Sequence, residues 1–162
     1  MKPVIDIAIE AEAWDSFDDP AGLAETVIGQ TISQSRVRLA PEVEISVVLC
    51  DDAFIAELNR KWRGVDKPTN VLSFPSGGDI GSTPVLGDIV IAFETTANEA
   101  REAQKPLRNH VAHLLAHGFL HLIGYDHLED AEAEAMEALE RSVLAKLGID
   151  DPYLDALIQA EN

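Results

Sequence analysis

The stretch from Pro106 to Leu122 constrains the fold more than any other part of the sequence. Its apolar side chains recur at the spacing of one helical face. They are Leu107, Val111, Leu114, Leu115 and Leu122. Proline is favoured in the first turn of a helix, and Gly124 is well suited to ending one. We therefore predict a long central helix that buries one side in the core.

Four of the five histidines lie on this same helix. They are His110, His113, His117 and His121. At about 100° per residue they form a stripe beside the apolar face. Imidazoles stacked in this way repel one another when they are protonated, which is unfavourable unless something uses their lone pairs. The stripe therefore indicates a functional site along the flank of the helix.

The spacing of the later histidines predicts a metal site at the end of the helix. His117 and His121 are one turn apart, so both imidazoles can reach one ion. Gly124 can adopt a left-handed conformation and turn the chain back, so that His127 supplies a third ligand. Three protein ligands leave the fourth zinc position open, as in catalytic sites. We therefore predict one zinc ion bound by His117, His121 and His127.

This ligand spacing equals that of the long zinc-peptidase motif HExxHxxGxxH, with one difference. Gly118 stands where the peptidase has its glutamate general base. A metallopeptidase is therefore one alternative, and a non-enzymatic protein with structural zinc is another. Of the remaining histidines on the helix, His113 is a candidate for a supporting or substrate-contacting role. His110 is predicted to be solvent-exposed.

Other polar and aromatic residues allow two interpretations each. Arg63 could reach a site at a sheet edge, where its guanidinium suits a phosphate or a developing oxyanion. Spacing alone favours an exposed Arg63 that pairs with Asp66. Trp62 could stack on a base, although a tryptophan at a helix end is more often part of the core. Asp126 could orient an imidazole or water, or it could cap the following helix.

The strand and helix patterns predict a small α+β domain. Alternating or β-branched runs predict strands at Val4–Ile9, Glu44–Leu49, Val71–Phe74 and Gly87–Phe93. Besides the central helix, helical patterns cover Leu23–Arg36, Asp51–Trp62, Glu94–Gln104, Glu129–Leu147 and, as a short last helix, Asp151–Ala160. We predict one domain over 1–162, with a mixed sheet of about four strands packed with about five to six helices.

The charge balance excludes a protein that coats nucleic acid without specificity. With 29 acidic and 12 basic residues, the net charge is −17. A local basic site is still compatible with this total, because one short segment gathers four basic residues. They are Arg60, Lys61, Arg63 and Lys67.

Three features predict a cytoplasmic protein without a membrane partner. No apolar stretch approaches the roughly 20 residues that a spanning helix needs. Asp6 interrupts the N-terminus before a signal-peptide core could form. Cys50 is the single cysteine, so it cannot form an internal disulfide, and we expect it to be a small core residue.

Three motifs resemble the bacterial YbeY family. They are HGFLHLIGYDH at 117–127, RGVDKPTNVLSFP at 63–75 and LGDIVI at 86–91. The resemblance continues through 129–140 and 151–153, so it covers most of the chain from about residue 44 onward.

The resemblance implies a metal-dependent, single-strand-specific endoribonuclease. Such an enzyme acts in 3′-end maturation of the small-subunit 16S rRNA and in ribosome quality control. It implies zinc bound by His117, His121 and His127, with Arg63 and His117 as catalytic residues. The implied partners are an rRNA precursor, the ribosome or its small-subunit proteins, and an Era-type GTPase. No residue is clearly the general base, for which His113 and Asp126 are the candidates.

Overall fold

The computed structural model describes residues 2–126 and 128–153, which form one four-stranded sheet and five α-helices. The strands are β1 (Val4–Ile9), β2 (Glu44–Cys50), β3 (Val71–Pro75) and β4 (Val85–Ala92). The helices are α1 (Pro20–Ser35), α2 (Asp52–Arg63), α3 (Phe93–Glu102), α4 (Leu107–Leu122) and α5 (Asp130–Lys146). A short 3₁₀ helix, Glu12–Ser16, precedes α1.

The sheet is mixed, with the strand order β1-β2-β4-β3. Strands β1, β2 and β4 are parallel to one another, and β3 runs antiparallel to β4 at one edge of the sheet. A parallel strand covered on both faces has apolar residues in succession, which explains the continuous run from Ile89 to Ala92. The α+β fold with a small mixed sheet, predicted from the sequence, is confirmed.

Alternate residues of the sheet face two separate cores, because successive side chains of a strand point to opposite faces. Val47 and Ile89 belong to the larger core, together with side chains of α1, α4 and α5. Cys50 and Val90 belong to a smaller core with Ile55 of α2. The expectation that Cys50 is a core residue is confirmed. The helix α4 packs against α1, α3, α5, β3 and β4, so it is central to the fold.

The helices begin and end within a few residues of the predicted bounds, and capping residues explain where they do so. Asp51 caps α2, and its carboxylate accepts a hydrogen bond from the amide of Phe54 at 2.9 Å. Gly64, with φ 71°, ends this helix. In contrast, α1 begins three residues before the predicted start, because Asp19 caps it by accepting from the amide of Gly22.

The predicted last helix falls largely outside the described residues. Residues 151–153 are not helical, and the amide of Tyr153 donates to the carboxylate of Asp151 at 2.8 Å. None of the described helices combines the length and apolar character that crossing a bilayer requires.

Candidate metal centre

The last turns of α4 line one side of an open cleft of about 590 Å³. His117 and His121 contribute to this side, and Asp126 follows them in the adjoining loop. The lining also includes Arg63 from the end of α2 and Ser73 from β3. The cleft therefore combines imidazoles, a carboxylate and a guanidinium from three different parts of the chain.

The Nε2 atoms of His117 and His121 lie only 3.1 Å apart. On the other side of each ring, Nδ1 faces an acceptor: the carbonyl oxygen of Tyr125 is 2.8 Å from His121, and a carboxylate oxygen of Glu140 is 3.3 Å from His117. Protons on both Nδ1 atoms satisfy these acceptors and leave a lone pair on each Nε2. Two zinc–nitrogen bonds at a tetrahedral angle separate their nitrogens by about 3.3 Å, so the pair fits one shared ion.

The turn after α4 supplies one of these acceptors. Gly124 has φ 102°, which confirms its predicted left-handed conformation. The amide of Tyr125 donates to the carbonyl of Leu120 at 3.0 Å, so the chain folds back on the helix end. The carbonyl of Tyr125 thereby reaches His121. His127, the third predicted ligand, lies outside the described residues.

Glu140 of α5 contacts two of the histidines of α4, His113 and His117. Its side chain is fully buried and accepts from Nε2 of His113 at 2.6 Å. The hydroxyl of Tyr153 donates to its two oxygens at 2.8 and 2.9 Å. Burial alone would raise the pKa of this carboxyl, but the hydrogen bonds from His113 and His117 outweigh burial and lower the pKa to about 2. Glu140 is therefore an ionised acceptor at neutral pH.

A second arrangement of possible metal ligands lies on this inner side. The candidate ligand atoms of His113, His117 and Glu140 all lie within 4.8 Å of one another, so this group could hold a metal ion. The two arrangements share His117 and differ in which of its ring nitrogens would face the ion. The outer pair opens to the cleft, whereas the inner group is turned toward α5.

Comparison with known proteins identifies the family. A family model described as "Endoribonuclease YbeY" matches residues 9–148. Endoribonuclease YbeY of Methylocella silvestris is 78% identical over 162 residues, covering 100% of this chain and 92% of that protein. The chain belongs to the YbeY endoribonuclease family. Endoribonuclease YbeY of Beijerinckia indica is 53% identical over 160 residues, covering 94% of this chain and 78% of that protein.

Membership of the YbeY family confirms the resemblance found in the motifs. The fold is also similar to the solution structure of TM1509 from Thermotoga maritima, with a TM-score of 0.55 and 27% sequence identity. That similarity covers 89% of this chain and 91% of the other.

Arg63 lies at the cleft and does not form the ion pair with Asp66 that spacing suggested. Its Nη2 donates to the carbonyl of Ser73 at 2.9 Å, and its guanidinium lies 5.5 Å from the ring centroid of Phe74. These contacts with β3 hold Arg63 along the edge strand, where it lines the cleft together with His117.

Two predicted exposures are wrong. His110 is buried, because α3 packs against α4 and places the carboxylate of Glu99 2.8 Å from its Nε2. Burial would raise the pKa of Glu99, but hydrogen bonds from His110 and Asn70 lower it overall. Trp62, expected in the core, is 61% exposed.

Of the two interpretations of Asp126, the structure favours a position at the site. Asp126 lines the cleft. The residue at the N-cap of α5 is Glu129, which makes no side-chain capping hydrogen bond.

Sequence reasoning missed the supporting residue Glu140. A detectable signal was present, because Glu140 lies four residues after Met136 and three before Val143, on the apolar stripe of α5. An ionisable residue at a buried helical position requires a partner. The carbonyl of Tyr125, in contrast, carries no signal in a side-chain pattern.

Proposed function

We propose that this chain is a zinc-dependent endoribonuclease that cleaves single-stranded RNA. Membership of the YbeY endoribonuclease family supports cleavage of RNA. The observation that carries the proposal is the approach of the Nε2 atoms of His117 and His121 to 3.1 Å, at a cleft that Arg63 also lines. The cellular role that we propose is 3′-end maturation of 16S rRNA and ribosome quality control.

We assign the metal to the outer pair, with His127 as the third ligand. In the inner group, the carboxylate of Glu140 already accepts hydrogen bonds from His113 and from the hydroxyl of Tyr153. An imidazole that binds a metal through one nitrogen usually donates a hydrogen bond through the other. Glu140 and the carbonyl of Tyr125 are acceptors of this kind for His117 and His121.

A zinc ion bound there supplies Lewis acidity that stabilises negative charge on a phosphoryl oxygen. Arg63, at the end of α2, supplies further positive charge to the same cleft. One of its five N–H groups donates to Ser73, which orients the guanidinium and leaves other donors for a phosphate. Of the two candidate bases, Asp126 lines the cleft, whereas Nε2 of His113 faces Glu140, so Asp126 is better placed.

The packing around Gly118 argues against the metallopeptidase alternative. A Cβ atom at this position would lie 2.8 Å from Cγ2 of Ile89 and 3.2 Å from Oγ of Ser73. The backbone here is pressed against the sheet, and Ser73 donates to the carbonyl of Gly118 at 2.9 Å. A glutamate general base therefore has no room at this position. Phosphodiester cleavage depends more on charge neutralisation, which zinc and Arg63 supply.

The test is incubation of zinc-loaded protein with single-stranded RNA, double-stranded RNA and casein, each with and without a chelator. We expect cleavage of single-stranded RNA that the chelator abolishes, and no cleavage of casein. RNA cleavage should decrease steeply with added salt, because binding relies on contacts with phosphates. Chelator-sensitive proteolysis by a preparation inert toward RNA would support the peptidase. Zinc binding without either activity would support a non-enzymatic assembly factor.

The proposed partners rest on family membership alone. They are a single-stranded rRNA precursor, the ribosome or its small-subunit proteins, and an Era-type GTPase. Such a role places the protein with ribosomes in the cytoplasm. Co-sedimentation of the protein with ribosomal subunits tests this association directly. The measurement is made in untreated lysate and in lysate treated with nuclease.

A further inference from the structure

The exposed indole of Trp62 conflicts with its position on α2. Trp62 follows Ile55 by seven residues, so both lie on the same side of the helix. Ile55 is completely buried against the sheet, whereas Trp62 is 61% exposed. The sheet-facing side of α2 therefore ends in an uncovered aromatic ring at the C-terminal end of the helix.

This end of α2 adjoins the cleft. Arg63 is the next residue, with its Cα about 3.8 Å along the chain, and it lines the cleft with His117. The loop after the helix folds back toward it, because the side-chain amide of Asn59 donates to the carbonyl of Lys67 at 2.9 Å. Trp62 is therefore one residue along the chain from a residue that lines the cleft.

Basic residues lie close to Trp62 along the chain, and one of them contacts its ring. The ammonium of Lys61 lies 5.2 Å from the ring centroid of Trp62. Lys67 is exposed in the adjoining loop. Arg60 pairs with Glu57 at 2.7 Å, so its charge is partly compensated within the helix. The chain as a whole has a net charge of −17, so this local group of basic residues is suited to attract a polyanion to this end of α2.

We propose that Trp62 is a stacking platform for a base of single-stranded RNA, next to the cleft. Single-strand binding sites combine cations that follow the phosphates with aromatic rings on which bases stack. Trp62 supplies the ring, and Lys61, Arg63 and Lys67 supply the cations. Base-paired RNA keeps its bases within the helix, so this contact favours single strands. The inference rests on the proposed function, because it names the substrate contact of the same cleft.

Intrinsic fluorescence gives a direct test, because Trp62 and Trp14 are the two tryptophans of the chain. Trp14 is 1% exposed, and its Nε1 donates to the carbonyl of Cys50 at 2.8 Å, so a change on binding reports on Trp62. The probe is a single-stranded RNA of about twelve nucleotides, titrated in chelator so that it is not cleaved. We expect quenching of tryptophan emission on binding.

The Trp62→Ala variant should bind this RNA roughly ten-fold more weakly than wild type. The Trp62→Tyr variant should retain most of the affinity, because it keeps an aromatic face. Phe54→Ala is the matched control, since Phe54 is an exposed aromatic residue at the other end of α2, and its affinity should be unchanged. Both alanine variants should keep the melting temperature of wild type, because both side chains are exposed.

An oligomer of equal length with abasic positions separates stacking from charge. Wild type should bind it as weakly as Trp62→Ala binds the complete RNA, and Trp62→Ala should barely distinguish the two oligomers. Wild-type affinity of Trp62→Ala for complete RNA would overturn the inference, as expected if a protein partner covers this ring. An equal loss of affinity for the complete and the abasic oligomer in Trp62→Ala would also overturn the inference. Because binding is measured in chelator, a failure of RNA cleavage counts against the proposed function alone.

Discussion

Nδ1 of His117 lies 3.3 Å from the buried carboxylate of Glu140, which is ionised at neutral pH. This contact orients the ring so that its Nε2 faces His121. We expect Glu140→Gln to weaken zinc binding by about 10- to 100-fold, as for other residues that orient metal ligands. Competition titration with a chelator of known affinity measures the change. Glu134→Gln is the matched control, because Glu134 is exposed on the same helix; an equal loss in both variants would contradict the orienting role.

The ligand set can be tested by metal analysis. Purified protein should carry about one zinc per chain, and alanine replacement of His117, His121 or His127 should remove most of it. His110→Ala is the control, because His110 is bound to Glu99 away from the cleft and should not be needed for zinc. Full zinc occupancy without His127 would show that the third ligand is wrong. Loss of zinc from His113→Ala but not from His121→Ala would instead support the inner group.

Arg63 should matter for catalysis rather than for folding. Arg63→Ala should lower RNA cleavage on the order of 10²-fold, because it removes a donor that stabilises developing charge. Zinc content and melting temperature should be unchanged, since the side chain is exposed. Arg38→Ala removes another exposed arginine outside the cleft and should leave cleavage unaffected. A variant of Arg63 that cleaves RNA at the wild-type rate would contradict the proposed role.

The close packing of Gly118 against the sheet predicts a stability difference. Gly118→Ala places a Cβ 2.8 Å from Ile89, so Ile89 must shift, and overpacking of this kind costs about 1–3 kcal/mol. Gly29→Ala in α1 is the matched control, because its Cβ would meet nothing within 4 Å. That variant gains helix propensity and should be more stable than wild type by several tenths of a kcal/mol. Urea unfolding of both compares them directly; equal stabilisation would refute the packing argument.

The buried histidine and glutamate also predict how stability depends on pH. Burial lowers the pKa of His113 from its ordinary 6.5, so the stability that it contributes is complete above pH 6.5 and falls as pH decreases below it. The pKa of Glu140 is lowered from 4.5 to about 2, so its contribution is complete above pH 4.5 and is lost as pH approaches about 2. Both act in the same direction.

We therefore expect the free energy of unfolding in chelator to decrease continuously from about pH 7 to about pH 3. Urea unfolding at several pH values measures the decrease. In His113→Gln, the free energy of unfolding should decrease less near pH 6 than in wild type. In Glu140→Gln, it should decrease less below about pH 4.5. A stability that rises as the pH falls would contradict both assignments.

Local patterns were enough to predict much of this protein. The strand of residues 4–9, the start of α2 near Asp51 and the left-handed Gly124 all follow from interactions within a few residues along the chain. The same holds for the neighbouring turns of α4 that bring His117 and His121 together. Residue type and helical period determine such features, so the sequence contains them directly.

Tertiary packing decided what surrounds these features. Glu140 comes to His117 from another helix, and Glu99 covers His110 because α3 packs on α4. Trp62 lies on the apolar side of α2 and is nevertheless exposed, since burial requires a second element opposite it. Each of these contacts depends on how separate elements lie against one another. The sequence by itself determined a row of histidines on a helix, and the packed fold determined which nitrogen atoms face the cleft.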